Sequence, residues 1–202
     1  VIIKSRNNAV DWQVYLKSFG NDDTGLFLNT TAAATTATNY YNGGGTSSVF
    51  GVSNNTGIGA NTYTYVAYCF AGKQGYSKFG KYKGNGSANG PFTYTGFRPA
   101  WIMMKDTDTG DWLIYDTSRN VNNLSGSYLQ PNNSDAEGTE SNGIDILSNG
   151  FKQRNTFSNL NSSGNTYVYM AFAENPFKNS NARWCMGVIS HFIPIILGFI
   201  AK

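Results

Sequence analysis

The chain has one histidine, His191, and two cysteines, Cys69 and Cys185, in 202 residues. A lone imidazole leaves no Ser-His-Asp arrangement, no Cys-His pair with a supporting partner nearby, and no histidine-based zinc site. Set among apolar residues, His191 reads as a packed side chain. Two cysteines make no disulfide framework, and Cys69, whose repeat counterpart reads Ala173, is expected as a small core residue. Charge is also scarce, at 13 % of residues against 15 % aromatic, with a net charge of +3. No acidic residue occurs between Asp23 and Asp106, whereas Lys73, Lys78, Lys81, Lys83 and Arg98 fall there, a basic stretch suited to an acidic partner. No phosphate-cradling loop is visible, since Gly84-Asn85-Gly86-Ser87 lacks the Lys-Ser/Thr ending. No cofactor, no metal and no nucleic acid is therefore expected.

What is abundant is glycine, 23 residues of it, together with aromatic, Asn, Ser and Thr residues. That balance suits pleated strands joined by turns. The sequence also repeats itself. Ile2-Ile3-Lys4 … Asp11-Trp12-Gln13-Val14-Tyr15 returns as Met103-Met104-Lys105 … Asp111-Trp112-Leu113-Ile114-Tyr115. Thr62-Tyr63-Thr64-Tyr65-Val66-Ala67-Tyr68 returns as Thr166-Tyr167-Val168-Tyr169-Met170-Ala171-Phe172, and Phe27-Leu28-Asn29 answers Tyr128-Leu129-Gln130. A period this long indicates two copies of a small domain rather than a solenoid. What repeats is packing residues and turns, without a constellation of acids, bases or metal ligands.

The expected fold is all-β, with two tandem small β-sandwich or jelly-roll-like domains and little helix. The first copy takes 1–71, and Val1 already lies inside its first block, so its lead-in is expected to be missing. A Gly- and aromatic-rich basic connector follows over 72–96. Its glycines are expected to break regular elements while Tyr76, Phe79, Tyr82, Phe92 and Tyr94 dock between the copies. The second copy takes 97–183, and a hydrophobic tail takes 184–202. That tail carries no Asp, Glu, Lys or Arg from Trp184 to Ala201; Pro194, Gly187 and Gly198 weaken a membrane helix, and the expectation is an ordered segment buried against the domain or a neighbouring chain, with a membrane helix and an end foreign to the ancestral domain as the alternatives. Residues 101–105 and 112–116 read as a hairpin, and Asn149-Gly150 as a two-residue turn. The Ala/Thr run 30–37 is the one helical candidate. The closing strand of each copy, apolar on both faces, is expected inside the sheet stack.

The binding candidate is the patch Tyr76, Lys78, Lys81, Tyr82 and Lys83, where lysines interleave with aromatic rings able to stack on sugars. No catalytic residue is assigned. Carboxylates for glycoside cleavage would have to come from Asp111, Asp116, Asp135, Glu137, Glu140 and Asp145. Asp111, with its repeat partner Asp11, reads instead as a hairpin residue that accepts backbone N–H bonds. Asp106 to Asp111 resembles part of a calcium loop but lacks the distal Glu.

The ordered series Gly96-Phe97-Arg98-Pro99-Ala100-Trp101-Ile102-Met103-Met104-Lys105, Tyr115-Asp116-Thr117-Ser118-Arg119, Asn133-Ser134-Asp135-Ala136-Glu137, Leu147-Ser148-Asn149-Gly150-Phe151 and Asn165-Thr166-Tyr167-Val168 resembles a domain of unknown function found in tail fibres and other virion proteins of tailed bacteriophages. Ala100 departs from the Asp usual there, and the tail has no counterpart. The resemblance implies a virion structural or tail-fibre protein, extracellular, acting as a non-catalytic assembly or host-surface glycan-binding module. It further implies other virion proteins as partners; the scarce charge, aromatic connector and uncharged tail add a homo-oligomer, with a threefold fibre as the specific expectation. The alternatives are a polysaccharide-degrading tail enzyme and a membrane-anchored surface adhesin.

Overall fold

The computed structural model describes residues 1–176 apart from positions 22, 38, 39, 43, 44 and 47. The tail 184–202, with Cys185 and His191, lies outside the described residues. Three antiparallel sheets stack into an all-β sandwich. The first sheet takes β1 (Ile2–Ser5), β2 (Gln13–Val14), β3 (Thr24–Phe27), β4 (Thr35–Thr36) and β5 (Tyr65–Tyr68) in the order β4-β3-β2-β1-β5. The middle sheet contains β6 (Ser77–Lys83), β8 (Pro99–Asp106), β9 (Trp112–Asp116) and β13 (Thr166–Ala173) in the order β6-β13-β8-β9. The third sheet, ordered β10-β11-β12-β7, takes β7 (Phe92–Tyr94), β10 (Ser125–Tyr128), β11 (Gly138–Leu147) and β12 (Gly150–Gln153).

The middle sheet is apolar on both faces because alternate residues of a strand point to opposite sides. From β8, Ile102 and Met104 face a core shared with Ile144, Ile146 and Phe151 of the third sheet. Trp101 and Met103 face the other way, into a core shared with Ile2, Val14 and Leu26 of the first sheet. Each such side chain contributes about 1.5–3 kcal/mol when fully buried. Residues 1–71 and 97–176 are thus joined by a continuous apolar seam. One helical turn, α1 (Ser158–Asn161), drops Leu160 into the core between the middle and third sheets.

β1, β2 and β5 adopt the same pairing as β8, β9 and β13. Ile2 faces Val14 as Met103 faces Ile114, and Lys4 faces Val66 as Lys105 faces Val168. Trp12 and Trp112 each donate their backbone N–H to an Asn side chain, Asn29 and Asn132, at 2.8 Å. Those amides in turn donate to Asp11 and Asp111. Tyr65 pairs with Ser5 where Tyr167 pairs with Asp106, so Tyr65 corresponds to Tyr167 and not to Tyr169. The hydroxyls agree: Tyr65 accepts from Ala60 N–H and donates to Thr56, and Tyr167 accepts from Ser162 N–H and donates to Ser158. A slip of two residues keeps every side chain on its own face, so apolar alternation alone could not detect it.

Several expectations are corrected. Residues 72–96 hold two strands, and β6 pairs with β13 over seven residues. Gly80 sits inside β6 because the ring of Tyr169 lies across it, leaving a Cβ only 2.9 Å from the tyrosine oxygen. Phe92 and Tyr94 are exposed rather than docked between copies. Cys69 is exposed rather than a core residue. The run 30–37 forms no helix, and two of its residues make β4; threonine's branched side chain outweighs alanine there. The β11–β12 turn is two residues long, but Leu147 pairs with Gly150, so Ser148-Asn149 turns the chain and Gly150 is already strand. β13 is buried as expected, whereas β5 is an edge strand.

Candidate functional site

The proposed patch does not form one surface. In β6, Tyr82 is buried, stacks on Tyr167 with ring centroids 5.0 Å apart, and donates its hydroxyl to the carbonyl of Leu160. Burial holds its hydroxyl well above the usual tyrosine range. Lys81 and Lys83 are exposed and one residue out of phase with Tyr82, hence on the opposite face. Tyr76 packs its ring against Phe172 at 6.0 Å. Among the described residues, Lys78 reaches an exposed aromatic, its Nζ standing 5.0 Å from the ring centroid of Tyr94, a cation–π contact worth about 0.5–1 kcal/mol at an exposed site.

That contact marks a different face. β7 is an edge strand of the third sheet, with Thr93 turned inward and Phe92 and Tyr94 turned out, 45 % and 58 % exposed. Phe92 lies across Gly150 of β12, where a Cβ would come within 2.9 Å of its ring. The missing side chain at Gly150 therefore lets the ring lie close to the sheet. Lys152 pairs with Phe92 on one side and with Asp145 on the other, and Asp145 holds Arg154 at 3.4 Å. Two aromatic rings on a short rigid strand, bordered by Lys78 and Lys152, form a platform suited to stacking against a flat ligand face. Sequence reasoning placed both rings inside the connector. The signal that could have found them was the Phe-Thr-Tyr alternation after Pro91, which puts both rings on one face.

Of the candidate carboxylates, Asp111, Asp116, Asp135, Glu137 and Asp145 are engaged by the protein. Asp111 accepts from the side-chain amides of Asn132 and Asn159, so it acts through amides rather than the expected backbone N–H groups. Asp116 accepts from the backbone and guanidinium of Arg119, which also reaches Glu137. In the loop with calcium-like sequence, the ammonium of Lys105 donates to the carbonyls of Asp106 and Asp108 at 2.6 and 2.9 Å. A cation is thus already supplied by the chain. Lys105 is 0 % exposed, and burial pulls its pKa down to about 8 against the opposing pull of Asp106, Asp111 and Asp108. Lys4 folds back in the same way onto Ser5 and Asn8. Among the described residues, no cluster of three or more His, Cys, Asp or Glu could hold a metal.

A cleft of about 400 Å³ opens into the seam between the first and middle sheets, walled by Ile2, Val14, Phe70, Phe79, Met103 and Trp112. Its described lining carries Lys17 and Lys78 but no carboxylate, so it offers no general acid or base of that kind. Among the described residues, no helix is long and apolar enough to cross a membrane.

Residues 1–176 match the model of the domain of unknown function DUF7483. The chain belongs to that family. The matched residues span both halves of the chain and the seam between them. No curated protein and no solved structure matches the chain.

Proposed function

We propose that this DUF7483 chain is a non-catalytic structural and adhesive module of a bacteriophage virion, of the tail-fibre type, and that it engages host-surface glycan through Phe92 and Tyr94. The exposed pair of rings on β7 carries the reading, because aromatic faces stack on the apolar faces of sugar rings while a bordering cation suits acidic residues of the polymer. The virion setting rests on the resemblance of the ordered motifs, and with it go an extracellular location, virion partners and a trimeric fibre of identical chains. Arg119, Asn132 and Asn159 support the non-catalytic part, since they hold Asp116, Glu137 and Asp111 in structural bonds.

The test is titration of the intact chain with a neutral glucan and with polygalacturonate, followed by calorimetry, alongside a reducing-end assay. Binding without cleavage is expected, with Tyr94→Ala weakening it about tenfold, the equivalent of roughly 1.4 kcal/mol. Absence of binding to either polymer, or equal binding by the variant, refutes the platform. Reducing ends that accumulate with time and vanish in Glu137→Gln establish the enzyme alternative instead.

A further inference from the structure

We propose that the platform of Phe92 and Tyr94 selects an acidic polysaccharide, one that carries a carboxylate on its sugar ring, and that the ammonium of Lys152 reads this carboxylate. That selection rests on the glycan reading of the same site and names the class of polymer. Directly opposed residues of antiparallel strands share a face. The register therefore lays two rows across the outer face of the third sheet, Phe92, Lys152 and Asp145 in one and Tyr94, Gly150 and Leu147 in the other. Neighbouring strands lie about 4.7–4.9 Å apart, so Lys152 stands one strand spacing from Phe92. A sugar stacked on that ring lays its apolar C–H face against it and points its polar substituents outward from the edge. A carboxylate among them falls within reach of the flexible four-carbon stem of a lysine.

The charges beside Lys152 are committed elsewhere. Lys78 stands over the Tyr94 ring at 5.0 Å. Arg154 holds the Asp145 carboxylate at 3.4 Å, although Lys152 is the residue directly opposite Asp145 in the sheet. Lys152 itself has no ion-pair partner among the described residues, and neither β7 nor β12 carries an Asp or Glu. A half-buried cation beside an apolar ring, with the facing carboxylate already taken, complements an anionic ligand better than a neutral one. Arg154 is thereby a positioning residue, which acts by keeping Asp145 off Lys152. Ion pairs open to solvent are weak and screened by salt, so the selection is modest, about three- to fivefold at low ionic strength.

The experiment titrates the full chain calorimetrically with a galacturonate oligomer and with its methyl ester, which share one backbone and differ in the charge of the carboxyl group. The acid should bind about three- to fivefold more tightly than the ester at low salt, and the ratio should fall as salt is added. Lys152→Met should bring the ratio to about one, and Lys152→Arg should keep it. Asp145→Asn should raise it, whereas Arg154→Met, which releases the Asp145 carboxylate onto Lys152, should lower it. Lys17→Gln removes an equal charge beside the cleft between the first and middle sheets and should leave the ratio at its wild-type value. Equal binding of acid and ester by the wild type overturns the proposal while the platform stands. A ratio that falls as far in Lys17→Gln as in Lys152→Met overturns it too, because overall charge then sets the preference. Binding of neither ligand refutes the platform, and the proposal with it.

Discussion

Lys105→Met, measured across pH, tests the reading of the 105–111 loop. Lys105 is fully buried and its pKa is lowered from 10.5 to about 8, chiefly by desolvation. Between those two values the unfolded chain holds a proton that the folded chain has released, so stability rises with pH across that window. The full gap is worth about 3 kcal/mol, of which about 1.4 kcal/mol has developed by pH 9. Tyrosines act in the opposite direction. Burial raises the hydroxyls of Tyr41, Tyr82, Tyr115 and Tyr167, the last to about 12; the unfolded chain ionises first, and stability falls above about pH 10. The buried amine of Val1, lowered from 8.0 to about 6, adds a rise of its own that ends near pH 8, and the wild type should be most stable near pH 9 to 10. Lys105→Met lacks the lysine's part of the rise and keeps the rest of the curve. Urea unfolding from pH 7 to 11 at fixed ionic strength supplies both curves, with equal m-values as the check on two-state behaviour. The difference between wild type and variant should grow by about 1–2 kcal/mol between pH 7 and 9.5. A flat difference would refute the claim that this ammonium is held in a desolvated site.

Trp112 is 2 % exposed and donates its indole N–H to the carbonyl of Phe27 across the seam at 2.8 Å. Trp112→Phe should cost about 2–3 kcal/mol, from the orphaned carbonyl and the unfilled volume, and a loss under 0.5 kcal/mol in denaturant unfolding would show that the seam does not depend on it. Asn132→Ala removes the acceptor of Trp112 N–H and the donor to Asp111, for about 1–2 kcal/mol. The same change at Asn29, whose bonds are exposed, should cost less, and equal losses at the two sites would contradict the assigned burial.

Much of the fold could be read from residue alternation. Residues 101–105 and 112–116 form the hairpin β8–β9 because two apolar runs flank a cluster of turn residues. Trp12 and Trp112 occupy equivalent places because each follows an aspartate that anchors an asparagine. Glycine misled the reading of 72–96. Gly80 looked like a breaker, but it makes room for a ring from the neighbouring strand, and nothing local distinguishes the two uses. The patch is divided between two faces for a related reason. Lys81, Tyr82 and Lys83 are neighbours in sequence, and strand geometry turns Tyr82 into the core and the lysines out. The exposure of Phe92 and Tyr94 depends on which strand ends at a sheet edge, a property of topology rather than of their own sequence.

The seam joins like to like: Ile2 and Met103, Val14 and Ile114, equivalent in their pairing, line the same apolar core, and Phe70 touches Phe172. Two identical subunits meeting through one face would have to change in step, since every substitution would appear on both sides at once. They would also come apart on dilution. Two stretches of one chain escape both constraints, because the linkage holds each at a fixed effective concentration of the other and each can accept substitutions alone. One half is thus free to keep its third layer while the other, among the described residues, ends its sheet at β5, a division of labour closed to a symmetric pair.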